Sequence, residues 1–238
     1  MITHFKTAMS ALAAAFFLLV FTGCLPKKAS GDLVTETFSE KDFHGLDIEL
    51  NGVTEVTVGP EFKVEVTCEE NVTKFLDVKV EKGILKVDFD RPIYDLDGLV
   101  VKVTAPSWDQ FEVGGSGKIR VLDSISGSSL RLDVSGSGDI LVKNAVFTRT
   151  DLDISGSGDI ELAGSGEDLD AGISGSGHVK CFDFWVKNAR VEVSGSGKMQ
   201  VNASEKLDAE ISGSGNIEYM GNPDVTIDVS GSGKVKKV

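Results

Sequence analysis

Apolar and polar residues alternate along most of this chain, and from residue 113 the alternation recurs at a regular interval. One motif occurs seven times. It consists of an apolar residue, a tetrapeptide of serine and glycine, any residue, and a second apolar residue. Mostly apolar residues stand two and four places before each copy, with mostly polar residues between them. This period of two predicts half-buried β-strands on both sides of the tetrapeptide. The copies begin 18 to 21 residues apart and occupy residues 113–119, 134–140, 154–160, 173–179, 193–199, 211–217 and 229–235.

Such a repeat is too short to bury an apolar face by itself, so consecutive repeats are expected to stack into a solenoid. A unit of about 19 residues suits one turn of a three-sided parallel β-helix, which needs corners but no reversal of the chain. We therefore predict an all-β fold, a right-handed parallel β-helix formed as a single-stranded solenoid with 18–21 residues per coil. The right-handed sense follows from the handedness of parallel crossover connections.

The two parts of the chain after its N-terminal segment differ in regularity. Residues 34–112 lack the motif but keep the alternation, and we expect irregular β-rich coils and a cap of the same solenoid there. A separate small β-domain is the alternative for this part. Residues 113–238 are predicted to form the regular coils.

The tetrapeptides are expected to form the corners between faces. Sharp bends favour positive φ, which glycine adopts without a Cβ clash, and stacked corners leave little room for larger side chains. The glycines predicted to be critical for the fold are Gly136, Gly138, Gly156, Gly158, Gly175, Gly177, Gly195, Gly197, Gly213 and Gly215.

The N-terminal segment has the features of an export signal. Lys6 precedes an apolar run over residues 8–21, which is shorter than the roughly 20 residues that a membrane-spanning helix needs. The run ends in Thr22-Gly23-Cys24, which resembles the lipobox of bacterial lipoproteins. We predict a lipoprotein signal peptide over residues 1–23, then a lipidated Cys24 and tether over residues 24–33. A plain secretory peptide with an incidental cysteine is the alternative.

Charge and histidine content exclude several kinds of function. The chain has 24 Lys and Arg against 37 Asp and Glu, a formal charge of −13, which argues against a nucleic-acid partner. With 3 histidines and no G-x-S-x-G motif, we expect no catalytic residues, no metal site and no cofactor. We expect a monomer or weak oligomer, with Lys234, Lys236 and Lys237 protecting the last strands and end-to-end association as the alternative.

An acidic residue stands immediately before six of the seven motifs. These residues should point outward in one column along the solenoid, where they could bind Ca²⁺ or a basic partner surface. A solvated face that limits aggregation, partly neutralised by Arg131 and Arg190, is the favoured interpretation. The candidate ligand or cation face comprises Glu112, Asp133, Asp153, Glu192, Glu210 and Asp228.

Cysteines and aromatic residues in the mature chain are predicted to lie mainly in the core. Cys68 and Cys181 share strand parity with apolar neighbours, which favours buried thiols over a disulfide bridge. Stacking on sugar rings is one possible role for the aromatic residues near the middle of the repeats, but core filling is expected. These aromatic residues are Phe182, Phe184 and Trp185, with Phe147 one or two coils away.

The chain combines a lipobox, an N-terminal half with alternating apolar and polar residues, and serial coils with the pattern (V/I)-S-G-S-G-x-(I/V). In this combination it resembles the putative auto-transporter adhesin head GIN domain family. The resemblance covers roughly residues 34–238 and implies a β-helical, secreted or surface-associated bacterial lipoprotein. It supplies no catalytic residues.

From that resemblance we expect a non-enzymatic lipoprotein of the Gram-negative cell envelope, attached to the outer membrane by its lipid. It would act as an adhesin-like protein that presents a rigid β-helix surface to a glycan or protein ligand. The surface and periplasmic orientations both remain open. One alternative is a polysaccharide-active enzyme that uses outward carboxylates such as Asp133, Asp153 or Glu192. Another is a periplasm-facing structural or signalling lipoprotein.

Overall fold

β-strands account for nearly all regular structure in the computed structural model, which describes residues 25–238. The predicted signal peptide and Cys24 lie outside the described residues. One turn of 3-10 helix spans Thr73–Phe75. The strands are β1 (Lys27–Lys28), β2 (Leu33–Phe38), β3 (Gly45–Ile48), β4 (Val53–Val58), β5 (Lys63–Glu69), β6 (Leu76–Glu81), β7 (Ile84–Phe89), β8 (Ile93–Tyr94), β9 (Val100–Ala105), β10 (Gln110–Val113), β11 (Lys118–Val121), β12 (Ile125–Val134), β13 (Asp139–Ile154), β14 (Asp159–Gly175), β15 (His178–Gly195), β16 (Lys198–Gly213), β17 (Asn216–Met220), β18 (Asp224–Gly231) and β19 (Lys234–Lys237).

Parallel pairing between successive coils builds the solenoid and confirms the predicted fold class. In β13 and β14, Asp139 pairs with Asp159 and Ile154 pairs with Ile173, so equivalent motif positions stack directly. The register shifts between Val142 and Ala145, where β13 contains one residue more than β14. The right-handed sense stays a prediction.

The N-terminal half joins the same sheet as the repeats. β3 and β4 form a coil that pairs in parallel with β10 and β11 on one side, and with β7 and β9 on the other. Beyond them, β5 pairs antiparallel with β9, β2 pairs antiparallel with β5, and β6 forms a hairpin with β7. We call strands β2, β5, β6, β7 and β9 the cap, since they cover the first coil of the solenoid.

Inward-facing residues fill the interior of the solenoid with apolar side chains. Leu132, Leu152 and Val191 belong to one such column, and each is at most 1% exposed. At the junction with the cap, Trp108 packs against Phe43 and Phe111, with ring centroids 5.7 Å and 5.5 Å away. The Trp108 indole Nε1 donates a hydrogen bond of 2.9 Å to the Thr57 carbonyl, so its polar group is satisfied inside the core.

Close contact between the backbones of successive corners explains why glycine occupies these positions. The Ser157 amide donates to the Gly136 carbonyl at 2.9 Å, and the Ser176 amide donates to the Gly156 carbonyl at 2.9 Å. A Cβ on Gly156 would overlap the carbonyl oxygen of Gly136, and a Cβ on Gly158 would also stand 2.7 Å from Val134 Cγ1. These contacts leave no space for a methyl group at the corner.

The expectation of positive φ at the corners is wrong for most of these glycines. Among the predicted positions, only Gly175, Gly195 and Gly213 have positive φ, at 151°, 138° and 137°. The other seven do not have positive φ, so the left-handed region is not what requires glycine at those positions. Crowding by the preceding corner is therefore the constraint common to the ten positions, which besides these three are Gly136, Gly138, Gly156, Gly158, Gly177, Gly197 and Gly215.

Within the repeats, a threonine interrupts the apolar interior. Thr150 occupies a core column between Leu130 and Leu169, where it is fully buried. Its Oγ1 has no hydrogen-bond partner among the described residues. An unsatisfied buried hydroxyl costs free energy that an apolar side chain of the same shape does not.

Substitution of corner glycines should reveal the crowding directly. We expect Gly156→Ala to lower the free energy of unfolding by about 2–4 kcal/mol, because the added Cβ meets immovable backbone. Gly175→Ala should cost about 1 kcal/mol more, because its φ also favours glycine. The matched control is Gly172→Ala, whose Cβ would meet only the mobile carboxylate of Asp153 at 3.1 Å. Urea denaturation that finds Gly156→Ala as stable as Gly172→Ala would contradict this explanation.

Replacement of the buried hydroxyl should stabilise the protein. We expect Thr150→Val to raise the free energy of unfolding by about 1 kcal/mol, because a methyl group replaces an unsatisfied hydroxyl. Thr150→Ser keeps the hydroxyl and loses the methyl group, so it should lower stability. Urea denaturation of both variants checks the prediction, and a destabilised Thr150→Val would refute it.

Candidate functional site

The predicted acidic residues lie in one column along an outer face of the solenoid. The pairing register places Glu112 beside Asp133, Asp133 beside Asp153, and the later members in the same row. We call this row of Glu112, Asp133, Asp153, Glu192, Glu210 and Asp228 the acidic column. Sequence reasoning missed Asp47, which pairs with Glu112 and extends the column into the first coil.

Burial and mutual repulsion affect the ionisation of the column. Burial raises the pKa of Glu112, and the neighbouring Asp47 and Asp133 raise it further. Burial likewise raises the pKa of Asp153, with Asp133 adding to the rise and Arg131 opposing it. Arg131 lies 3.1 Å from Asp133 and 3.5 Å from Asp153, so it partly neutralises this part of the column as predicted, whereas Arg190 forms no ion pair with the column within residues 25–238.

The column is interrupted once, at Gly172. Asp153 and Glu192 flank this gap, which is a shallow depression lined also by Ser155, Ser174 and Ser194. Within residues 25–238, no group of three or more His, Cys, Asp or Glu residues has the geometry to hold a metal ion. The carboxylates are spread along separate rungs rather than gathered around one point, which is the geometry of a charged surface.

A second outer face carries paired charges of opposite sign. Lys118 contacts Asp139 at 2.7 Å across one pair of rungs. Asp159 accepts hydrogen bonds from Lys180 at 2.6 Å and pairs with His178 Nδ1 at 3.0 Å. Burial alone would raise the pKa of Asp159, but the bonds from Lys180 and His178 outweigh it and hold that pKa below its usual range. These pairs stabilise the stacking of neighbouring rungs.

A third outer face carries Val146, Ser165 and Trp185 on successive rungs, and it corrects the prediction that the aromatic residues fill the core. Phe147 and Phe184 are buried, and Phe182 is half-buried, but Trp185 is 68% exposed. The register shifts on either side of this segment show that β15 holds more residues here than its neighbours. The extra residues reverse the alternation, so Phe184 and Val186 point inward and Trp185 points outward. The longer spacing of this repeat was the signal for such a bulge.

Both described cysteines are buried free thiols. Burial raises the pKa of Cys181 to about 12 and that of Cys68 to about 11. Each thiol therefore acts as a small apolar core residue, which is the role favoured from the sequence.

The family of the chain follows from its sequence and fold together. Residues 42–223 match the family described as putative auto-transporter adhesin, head GIN domain, and the chain belongs to that family. No curated protein matches the chain. Within residues 25–238, no helix has the length and apolar character needed to cross a membrane.

Several solved structures share the fold. A putative adhesin from Bacteroides fragilis has a TM-score of 0.84 at 20% identity, covering 89% of this chain and 99% of that chain. A putative lipid-binding protein from Parabacteroides distasonis has a TM-score of 0.78 at 22% identity, covering 90% and 100%. A putative adhesin from Parabacteroides merdae has a TM-score of 0.72 at 22% identity, covering 90% and 99%. At such identities the likeness establishes the common fold.

The two charged faces predict opposite responses to loss of a carboxylate. Asp159 has a lowered pKa in the folded chain, so its stabilising effect is present above the unfolded pKa and is lost as pH falls through the folded pKa. Asp153 has a raised pKa, so its ionised form weakens the fold at neutral pH, and protonation relieves this.

We therefore expect Asp159→Asn to lower the melting temperature at pH 7, and Asp153→Asn to raise it. As the pH falls, the difference for Asp153→Asn should shrink first, because the pKa of Asp153 is raised, and the difference for Asp159→Asn should persist to lower pH, because the pKa of Asp159 is lowered. Thermal unfolding followed by circular dichroism at several pH values measures this. Equal shifts of the same sign for the two variants at neutral pH would contradict the assignment of the two faces.

Proposed function

We propose that this protein is an exported, lipid-anchored, non-enzymatic adhesin-like protein that binds its ligand on the outer surface of the solenoid. Membership of an adhesin-head family over residues 42–223 carries this proposal. The fold supports it, because stacked coils with filled interiors make a stiff rod with long outer faces. Rigid elements hold binding groups in fixed positions and so reduce the entropy lost on binding.

The place of the N-terminus supports anchoring at the cap end of the rod. β1 pairs in parallel with β8, and Lys28 forms an ion pair of 3.0 Å with Asp95. Ala29 is buried, so the segment predicted as a tether is docked on the protein soon after its first residues. Only Leu25 and Pro26 separate β1 from Cys24. A lipid on Cys24 would hold the cap near the membrane, with the repeats projecting away from it.

The arrangement of the carboxylates favours binding over catalysis. A retaining or inverting glycosidase needs two carboxyl groups that flank one glycosidic bond, with access for the water molecule that completes the hydrolysis. Asp153 and Glu192 are the two members of the acidic column that are separated by Gly172. The gap between them is an open, shallow depression. The Asp153 carboxylate also lies 3.5 Å from the Arg131 guanidinium, so Arg131 competes with a substrate for this carboxylate.

Loss of the anchoring cysteine tests the proposal in cells. We expect full-length wild-type chain in a Gram-negative host to incorporate radiolabelled palmitate and to sediment with membranes. Cys24→Ser should incorporate no label and be released. Cys181→Ser is the matched control, because its thiol is buried and its label should not change. Labelled Cys24→Ser would refute the anchor.

Attachment of the same cells tests the binding role. Cells with the wild-type chain should adhere to surfaces coated with polysaccharide or mucin more strongly than cells with Cys24→Ser. Equal adhesion by the two kinds of cells would contradict the adhesin-like function. Release of reducing sugar from the coat by cells with the wild-type chain, and not by cells with Cys24→Ser, would establish the enzymatic alternative.

A further inference from the structure

The chain holds two tryptophans in opposite environments. Trp108 is 2% exposed and hydrogen-bonded in the core, whereas Trp185 is 68% exposed on the third face. Burial of a large aromatic side chain stabilises a fold, and Trp185 does not contribute this stabilisation. The alternation of the strand would have placed this position inside, so the bulge in β15 moves an indole from the core into solvent.

Neighbouring coils hold the bulge that presents this indole. Asn202 Nδ2 donates a hydrogen bond of 3.0 Å to the Phe182 carbonyl, and Ser204 Oγ donates one of 3.2 Å to the Val186 carbonyl. Phe184 is fully buried immediately before the tryptophan, and its ring lies close to Gly166 of the preceding coil. The backbone on both sides of Trp185 is therefore fixed to the solenoid, which presents the side chain from a stiff support.

Small and polar residues surround the exposed indole. Trp185 pairs with Ser165 on the preceding rung and with Asn202 on the following rung. Ser165 lies between Gly164 and Gly166, so this stretch of the preceding coil carries no bulky side chain. Two residues beyond Trp185, Lys187 contacts Glu167 at 2.7 Å. The platform thus combines one large apolar ring with hydroxyl, amide and charged hydrogen-bonding groups within a rung or two.

The size of the platform fits a sugar ring better than a protein. A specific protein interface buries about 800 Å² on each partner around several apolar anchors. Trp185 is a single anchor, and Val146, the nearest exposed apolar residue in its outward row, is separated from it by Ser165. A pyranose ring needs only one aromatic face for its C–H groups and a few polar groups for its hydroxyls.

The surrounding charge selects against acidic sugars. Glu167 holds Lys187 in an ion pair, and Glu205 and Asp168 add further negative charge around that ammonium group. Asp183 is exposed two residues before Trp185. In a chain with a formal charge of −13, an anionic glycan would meet net repulsion at this place.

We propose that Trp185 is the stacking platform of a binding site for neutral glycans on the third face of the solenoid. Ser165, Asn202 and the Lys187–Glu167 pair supply hydrogen bonds to the sugar hydroxyls. This inference rests on the proposed adhesin-like function, for which it names the class of ligand.

Tryptophan fluorescence of the full chain, purified in a detergent without a sugar headgroup, tests the site. Cellohexaose, maltohexaose and mannohexaose serve as neutral probes, and polygalacturonate serves as the acidic comparison. We expect at least one neutral probe to shift the emission of Trp185 and to protect it from acrylamide, while buried Trp108 stays unchanged. Polygalacturonate should produce no such shift. If no neutral probe is bound, the inference is overturned.

Variants locate the site within the third face. Binding measured by calorimetry should weaken roughly tenfold or more in Trp185→Ala and remain close to wild type in Trp185→Tyr, which keeps an aromatic face. Val146→Ala is the matched control, because it removes an exposed apolar side chain from the same row. Melting temperatures of all three should match the wild type, because neither position is in the core. Undiminished binding by Trp185→Ala would overturn the assignment.

Adhesion of cells carrying Trp185→Ala separates this inference from the proposed function. If these cells still adhere to the coated surfaces as the wild type does, the adhesin-like function stands and the Trp185 site is refuted. If wild-type cells fail to adhere but the purified chain binds a neutral probe through Trp185, the site stands and the adhesin-like function is refuted.

Discussion

Close backbone stacking at the corners is the constraint on which the rest of the structure depends. Each corner donates hydrogen bonds to the carbonyls of the corner before it, and these carbonyls occupy the space where a Cβ would otherwise lie. Glycine permits this approach, and the same register then aligns the apolar columns inside and the charged columns outside. The acidic column and the ion pairs of the second face are consequences of that alignment. Function is therefore built on a register that the corners hold in place.

The sequence was sufficient for the fold class because its signals are repetitive. Alternation defined the strands, the motif spacing defined the coil, and the acidic residues before the motifs were correctly expected to form one outward row. The backbone reason for the glycines was only partly predictable, because positive φ and crowding both favour glycine and leave the same residue in the sequence. Gly156 and Gly158 show that crowding alone suffices. In the cap, Glu81-Lys82-Gly83 is a local turn signal for the hairpin of β6 and β7, but β2 and β5 have no such signal, so their pairing was not predictable.

The least predictable part of the surface is also the most informative about function. The aromatic residues after Cys181 were expected in the core because large aromatic side chains are usually buried, but the bulge in β15 leaves Trp185 exposed. Such a bulge depends on how adjacent coils of different length are matched, which is a property of the stack rather than of one strand. Extra residues in one coil are thus enough to move Trp185 from the core to the surface while Phe184 takes its place inside.

The most direct test of the adhesin-like function is whether the chain is exposed on the surface of living cells, since an adhesin-like protein must reach its ligand outside the cell. Intact cells and permeabilised cells are treated with protease, and the chain is followed by immunoblotting beside a periplasmic marker protein. We expect protease to remove the chain from intact cells while the periplasmic marker survives. Loss of the chain only after permeabilisation would place the solenoid in the periplasm and contradict the adhesin-like function.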